Sequence, residues 1–155
     1  MAVTPIKGYA DTALDTLFAH AALKNLANGA ELTSAEIDNT ASGDRIGSVV
    51  LAISWATAPA AGVRCFDIYV IYAIDGTNYA SVGADGLPGP NDFVGSVVAR
   101  VPTTNALDLM ELPWIPLLPL RFKVVISNVS GQAVANDDDV TMFVKMQRSK
   151  GGSGS

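Results

Sequence analysis

The sequence has few of the residues that carry most protein chemistry: its 155 residues include one cysteine and one histidine, and only 16% are charged. A single cysteine, Cys65, cannot close an internal disulfide, which excludes the disulfide-rich scaffold of small secreted proteins. With no second cysteine or histidine nearby, we expect Cys65 to be a buried apolar side chain, a reactive thiol being the alternative. His20 has no acidic residue three or four positions away, so we expect neither metal binding nor catalysis from it.

Basic residues are also scarce. Ten lysines and arginines stand against fifteen aspartates and glutamates, which gives a net charge of −5 with no basic run. This balance excludes the electrostatic footprint of a nucleic-acid-binding protein. The longest uncharged apolar stretch, residues 46–63, is interrupted by Pro59 and two glycines. We therefore expect no membrane span and no signal peptide, and synthesis in a reducing compartment.

Catalytic and metal-binding patterns are missing from the sequence as well. It contains no Ser/His/Asp set, close carboxylate pair, phosphate-binding loop or Cys/His cluster, so we expect no enzymatic activity and no cofactor. Three adjacent acidic residues, 137–139, could offer oxygen ligands to calcium, yet they lack the spacing of a calcium loop. We expect them to form a solvated turn.

What the sequence does contain is apolar material, at 49% of residues, in short runs separated by Gly, Pro, Asn and Asp. This punctuation predicts an all-β fold, a single antiparallel β-sandwich of jelly-roll type over residues 30–148. Residues 66–74 are apolar at nearly every position, which predicts a strand covered on both faces. The predicted strands are at residues 31–37, 45–55, 64–74, 93–101, 106–111, 120–127 and 140–147.

The two ends of the chain differ from this pattern. Residues 1–29 are predicted to lie outside the sandwich, because 11–28 place apolar residues on a helical arc that ends at Gly29. A helix is one interpretation of this segment, and an extended arm that docks on a partner is the other. A third interpretation is that the apolar residues of this segment cover the open end of the sandwich of their own chain. Residues 149–155 are predicted to be a flexible linker added for expression.

Two further segments allow two interpretations each. Pro113, Pro116 and Pro119 could form a polyproline ligand, or the apolar residues between them could pack as an extended connector on the sandwich or on a neighbouring subunit. Residues 75–79 predict a hairpin turn in which Tyr79 covers the core, although the turn could instead present Asn78 and Tyr79 to a glycan.

Several segments form an ordered set along the chain: residues 26–29, 34–40, 49–53, 68–79, 118–123 and 128–133. This set resembles small virion structural proteins of tailed bacteriophages. The resemblance implies a β-sandwich without enzymatic activity that decorates or cements the capsid. It further implies synthesis in the bacterial host cytoplasm, a place in the virion, and assembly with copies of itself, as a trimer, and with the major capsid protein or another virion protein. A tail or head-fibre role is the alternative within this class.

Apolar residues that would otherwise face water are the candidate partner interface. They are Leu14, Leu17, Phe18, Trp114, Ile115, Leu117 and Leu118. The competing function is a carbohydrate-binding module that uses Tyr69, Tyr72, Tyr79 or Trp114 as a sugar platform. Such a module should expose coplanar aromatic rings, whereas a coat subunit should bury them.

Overall fold

The computed structural model describes residues 13–79, 88–100, 102, 104 and 106–150. This part of the chain forms two antiparallel sheets that pack against each other, so the predicted all-β sandwich is confirmed. The strands are β1 (Ala13–Phe18), β2 (Glu31–Thr33), β3 (Ile37–Asp38), β4 (Ile46–Ser54), β5 (Arg64–Tyr72), β6 (Phe93–Val98), β7 (Leu107–Pro116), β8 (Arg121–Asn128) and β9 (Phe143–Ser149). Sheet one has the order β1-β9-β4-β7, and sheet two has the order β2-β8-β5-β6, with β3 also paired to β8.

The core lies between the sheets and is built from alternate positions of their central strands. Val49, Leu51 and Ile53 of β4 are fully buried, because every second side chain of a strand points to the same face. Trp55 stacks on Phe66 of β5 with ring centroids 5.9 Å apart. Burial of each such side chain contributes about 1.5–3 kcal/mol to folding.

The outward side of sheet two carries a second, smaller apolar cluster. It consists of Tyr69 and Ile71 of β5 and Val125 of β8, with Tyr79 packed against them. These residues alternate with the inward-facing ones on β5, so that strand is buried on both faces. The prediction is confirmed for residues 66–71, which are all buried, whereas β5 ends at Tyr72 and Ile74 is 82% exposed. Burial on both faces explains why no alternation is visible in residues 66–71.

The N-terminal segment departs from the prediction. The helix expected over 11–28 is wrong for most of its length: β1 is a strand that pairs with β9 of the same sheet, and α1 (His20–Leu23) is one turn. A register shift between Thr16 and Phe18 turns two consecutive side chains, Leu17 and Phe18, into the core. Residues 13–18 are therefore an edge strand of the sandwich of their own chain and not a free arm. Residues 1–12 lie outside the described residues.

The proline-rich segment also departs from the prediction. β7 continues through Pro116, so most of the expected connector is a strand of sheet one, hydrogen-bonded to β4, and not a polyproline ligand. Prolines are tolerated there because β7 is an edge strand, on which half of the backbone N–H groups need no partner in the sheet.

At the C-terminus the domain extends one residue further than predicted. Ser149 is the last residue of β9, and its carbonyl accepts a hydrogen bond from the Arg45 N–H group at 2.9 Å. Residues 151–155, which contain most of the predicted linker, lie outside the described residues.

A buried arginine closes one end of the sandwich. Arg148 donates to the carboxylates of Asp15 at 2.7 Å and Asp44 at 2.9 Å, and to the side-chain oxygen of Asn39 at 3.1 Å. These bonds join β9 to β1 and to the loop that precedes β4.

Candidate interaction surface

The side of sheet one that faces away from the core is the candidate functional surface. The register fixes its members, because residues directly opposite each other in an antiparallel pair point to the same side. We call it the outer face of sheet one. It comprises Leu14 and Thr16 of β1; Phe143, Lys145 and Gln147 of β9; Ser48, Val50, Ala52 and Ser54 of β4; and Leu107, Leu109, Glu111, Pro113 and Trp114 of β7.

This face is rich in apolar side chains that contact water. The exposed fractions are 65% for Leu14, 37% for Leu107, 56% for Leu109 and 66% for Trp114. Half of the exposed large apolar side chains in the described part of the chain are therefore on this one face. The others are Ile74, Phe93, Val98 and Leu118.

Cross-strand pairing arranges the outer face in rows with a β4 residue at the centre of each. The first row is Lys145, Val50 and Glu111, and the second row is Phe143, Ala52 and Leu109. In the first row, the basic Lys145 and the acidic Glu111 therefore lie on opposite sides of Val50, each one strand away from β4. The Lys145 ammonium lies 4.6 Å from the centroid of the Phe143 ring, which holds the positive charge over the face.

A bulge in β7 presents the exposed tryptophan. Residues 47 and 49 of β4 pair with residues 115 and 112 of β7, so that Pro113 and Trp114 together lie opposite Ser48. Trp114 adopts a φ of 60°, in the left-handed region that costs an L-residue roughly 1–2 kcal/mol. Strain of this kind persists where the surrounding structure imposes it, and it is concentrated at functional sites.

The structure divides the seven residues predicted for the interface. Leu14, Trp114 and Leu118 are exposed, and the first two lie on the outer face of sheet one. The other four are core residues, which corrects the expectation that they contact a partner: Leu17, Phe18, Ile115 and Leu117. The sequence offered no way to separate the two groups, because the bulges in β1 and β7 decide which of the adjacent apolar side chains turn inward.

Leu107 and Leu109 are interface candidates that the sequence interpretation missed. A signal was present: residues 107–112 carry apolar side chains at odd and even positions alike, so both faces of this strand had to be partly apolar. Asp108 between them is buried and accepts a hydrogen bond from the Arg100 N–H group at 3.2 Å.

The aromatic residues predicted for a sugar platform are dispersed. Tyr69 is buried edge-on against Phe93, with ring centroids 5.6 Å apart. Tyr72 accepts a hydrogen bond from the Leu118 N–H group at 3.2 Å, and burial raises its pKa. Trp114 is thus the exposed member of the predicted set, without a coplanar partner among the described residues.

The turn after β5 forms as predicted, with Gly76 at a φ of 82°. The Asp75 carboxylate accepts hydrogen bonds from the Asn78 N–H group at 2.6 Å and the Thr77 N–H group at 2.9 Å, which lower its pKa to about 2. Tyr79 lies over the outward cluster of sheet two and donates to Glu36; burial, followed by this bond, raises the pKa of Tyr79 to about 12.

Cys65 is the buried side chain that the sequence predicts. Its Sγ lies 3.3 Å from the Val63 carbonyl oxygen, and burial raises the pKa of its thiol to about 11. At neutral pH the thiol is therefore protonated and shielded from solvent, which is contrary to the reactive alternative.

His20 and the acidic run 137–139 form one polar cluster. The Nδ1 atom of His20 accepts the Met142 N–H group at 3.1 Å, so Nε2 carries the proton and faces Asp138 at 3.2 Å. Lys24 donates to the same carboxylate at 2.7 Å, and these bonds lower the pKa of Asp138. The cluster anchors the chain before β9 to α1. Within the described ranges no group of His, Cys, Asp and Glu is arranged to hold a metal ion.

Fold and surface together define a β-sandwich with an apolar outer face on one sheet. No protein-family model and no curated protein matches the chain. Among solved structures it is similar to BpGH86A, a β-porphyranase of glycoside hydrolase family 86 from the human gut bacterium Bacteroides plebeius, with a TM-score of 0.43 and 12% identity. The alignment covers 90% of this chain and 20% of that one. None of the helices in the described residues is long and apolar enough to span a bilayer.

Proposed function

We propose that this protein is a non-enzymatic structural subunit of a bacteriophage virion, which decorates or cements the capsid. The observation that carries the proposal is the outer face of sheet one, where large apolar side chains of both edge strands are exposed. Monomeric proteins rarely leave contiguous apolar patches of more than a few hundred Å² in contact with water unless a partner covers them.

The chemistry-bearing side chains support a structural role. Cys65 is buried with a raised pKa, and His20 and Asp138 hold the chain before β9 in place. Each of these groups stabilises the fold and is engaged by neighbours, so none of them is poised to act on a substrate.

The ordered set of segments that resembles phage virion proteins supports the same class. It favours copies of the chain itself, together with the major capsid protein or another virion protein, as partners. The low charged fraction of 16% agrees with a subunit whose surface is partly buried by others.

The test is to purify particles of the phage that encodes this sequence, quantify the chain by mass spectrometry and locate it by electron microscopy. We expect repeated copies on the capsid surface. Absence from purified particles would overturn the proposal, and density confined to the tail or to head fibres would replace capsid decoration by those roles.

A carbohydrate-binding module is the second candidate, and the exposed ring of Trp114 is the observation that favours it. Binding of the isolated chain to a glycan array, abolished by Trp114→Ala and retained by Leu109→Ala, would support this candidate. We expect no glycan signal above background, because a single ring offers one stacking surface and no second aromatic in its plane.

A further inference from the structure

We propose that the outer face of sheet one is the interface with a second copy of the chain, related by a two-fold axis parallel to β4. The inference puts a two-fold dimer in place of the trimer that the resemblance implies, and it rests on the proposed function for its biological setting. Its test in solution needs no virus particle, so either proposal can fail without the other.

The argument starts from the charges that flank β4. Glu111 is one strand away on the β7 side of Val50, and Lys145 is one strand away on the β9 side. Neighbouring strands are about 4.8 Å apart, so the backbones of Glu111 and Lys145 stand at equal and opposite displacements from β4. The Lys145 ammonium lies over the neighbouring Phe143 ring and has to swing back to its own row to reach Glu111 of the partner subunit.

A two-fold axis parallel to β4, in the plane between two stacked sheets, exchanges these two sides. Val50 then meets its own copy, and Glu111 lies opposite the partner's Lys145. The symmetry repeats the contact, so one row produces two pairs of opposite charge. An isologous interface must be self-complementary in this way.

The second row is self-complementary under the same axis. Leu109 and Phe143 also flank β4, with Ala52 between them. The axis places Leu109 opposite the partner's Phe143, while Ala52 between them is already covered by its own chain and adds no contact across the axis. The apolar side chains of this row are thereby covered on both copies.

The bulge gives the third contact. Trp114 lies on the β7 side of Ser48, whereas Gln147 and then Leu14 lie on the other side of Ser48. The axis therefore brings Trp114 to the side where the partner presents Gln147 and Leu14. The two most exposed apolar side chains of this face, at 65% and 66%, are thus directed to the same contact zone.

A second copy is favoured over an unrelated partner because the outer face of sheet one carries both members of each contact pair: the acidic and the basic residue, and the apolar residues that face each other. Four strands of about seven residues each cover roughly 450 Å², which is small beside the ~800 Å² per partner of a standard interface. We therefore expect a dimer with a dissociation constant on the order of micromolar.

Sedimentation velocity of the full chain between about 1 and 500 µM tests the inference, with a reversible shift from monomer to dimer expected over this range. Leu109→Asp should weaken association at least roughly 30-fold, because it places a carboxylate in the apolar row. Ile74→Asp is the matched control and should leave association unchanged, since Ile74 is 82% exposed and lies beyond the end of β5.

Charge exchange tests the two-fold axis itself. Glu111→Lys and Lys145→Glu should each weaken self-association roughly tenfold. In a dimer of either variant, both symmetry-related contacts would bring two like charges together. An equimolar mixture of the two variants should regain dimers, since both charge pairs are restored only between unlike copies. The double variant should dimerise like the parent chain.

Monomer at every concentration, a trimer, or dimerisation that Leu109→Asp leaves intact would each overturn the inference. Failure of the variant mixture to regain dimers would overturn the axis parallel to β4. Far-ultraviolet circular dichroism of each variant separates loss of association from loss of folding.

Discussion

At the scale of single residues, strain and charge are concentrated where the backbone leaves regular pairing. Trp114 is an L-residue at a φ of 60° within an edge strand, and Asp75 organises the turn after β5 with hydrogen bonds from two backbone N–H groups. At each position, the geometry of the folded state predicts whether a substitution raises or lowers the stability of the protein.

We expect Trp114→Gly to be more stable than Trp114→Ala by about 1 kcal/mol, because glycine adopts the left-handed region without the Cβ penalty. Denaturant unfolding of the two variants measures this difference. The same pair of substitutions at Leu109, in regular strand, should give the opposite order. If the alanine variant were more stable than the glycine variant at both positions, the backbone at Trp114 would not be strained.

The Asp75 carboxyl gives a prediction about acid stability. Its folded pKa of about 2 is below the ordinary value of 3.8, so its contribution to stability is present above about pH 4 and is lost as pH falls through 2. The Tm difference between the parent chain and Asp75→Ala should therefore shrink between pH 4 and 2. A Tm difference that stayed constant between pH 4 and 2 would contradict this prediction.

At the scale of elements, β1 is the segment whose role changed most between sequence and structure. Its inward side chains belong to the main core, although its strand is at the edge of sheet one. An edge strand that shares the core is part of the folding unit, while an arm that docks on a partner would be dispensable for folding of the isolated chain.

We expect Phe18→Ala to lower the free energy of unfolding by about 3–5 kcal/mol, since it leaves a cavity in the core. Leu14→Ala on the same strand should change it by less than about 0.5 kcal/mol, because that side chain is 65% exposed. Urea unfolding of the monomer gives both values. Near-zero effects at both positions would show that β1 detaches from the sandwich.

At the scale of the whole molecule, Arg148 connects parts that are far apart in the sequence. Its guanidinium reaches β1 and the loop before β4 from the last strand, and it is 7% exposed. A buried carboxylate that loses its counter-ion is costly, since it retains its charge away from water.

We expect Arg148→Met to destabilise the fold by about 3–5 kcal/mol, because Asp44 would remain buried without its guanidinium. Arg121→Met is the comparison: its pairs with Glu36 and Asp38 are solvent-exposed, so its loss should cost no more than about 1 kcal/mol. Thermal and denaturant unfolding measure both. Equal effects of the two substitutions would contradict a special role for the buried pair.

Much of the fold was predictable because β-sandwich signals are local. Turn residues such as Asp75 and Gly76 determine the backbone conformation of the few residues around them. The apolar run at residues 66–74 predicts a strand buried on both faces without any knowledge of the strands beside it. Burial of Cys65 also followed from its immediate surroundings, since it stands at the start of an apolar run with no second cysteine and no histidine nearby.

The remainder depended on which strands pair and in which register, and no local pattern contains that information. Residues 13–18 have a helix-compatible arc, but pairing with β9 converts them to strand, since tertiary contacts outweigh weak propensities. The bulges at Thr16–Phe18 and at Pro113–Trp114 then select which apolar side chains enter the core. The sequence by itself determined an all-β sandwich with surplus apolar side chains; only the tertiary structure decided that the surplus lies on the outer face of sheet one, because a one-residue change of register moves a side chain from one face of a sheet to the other.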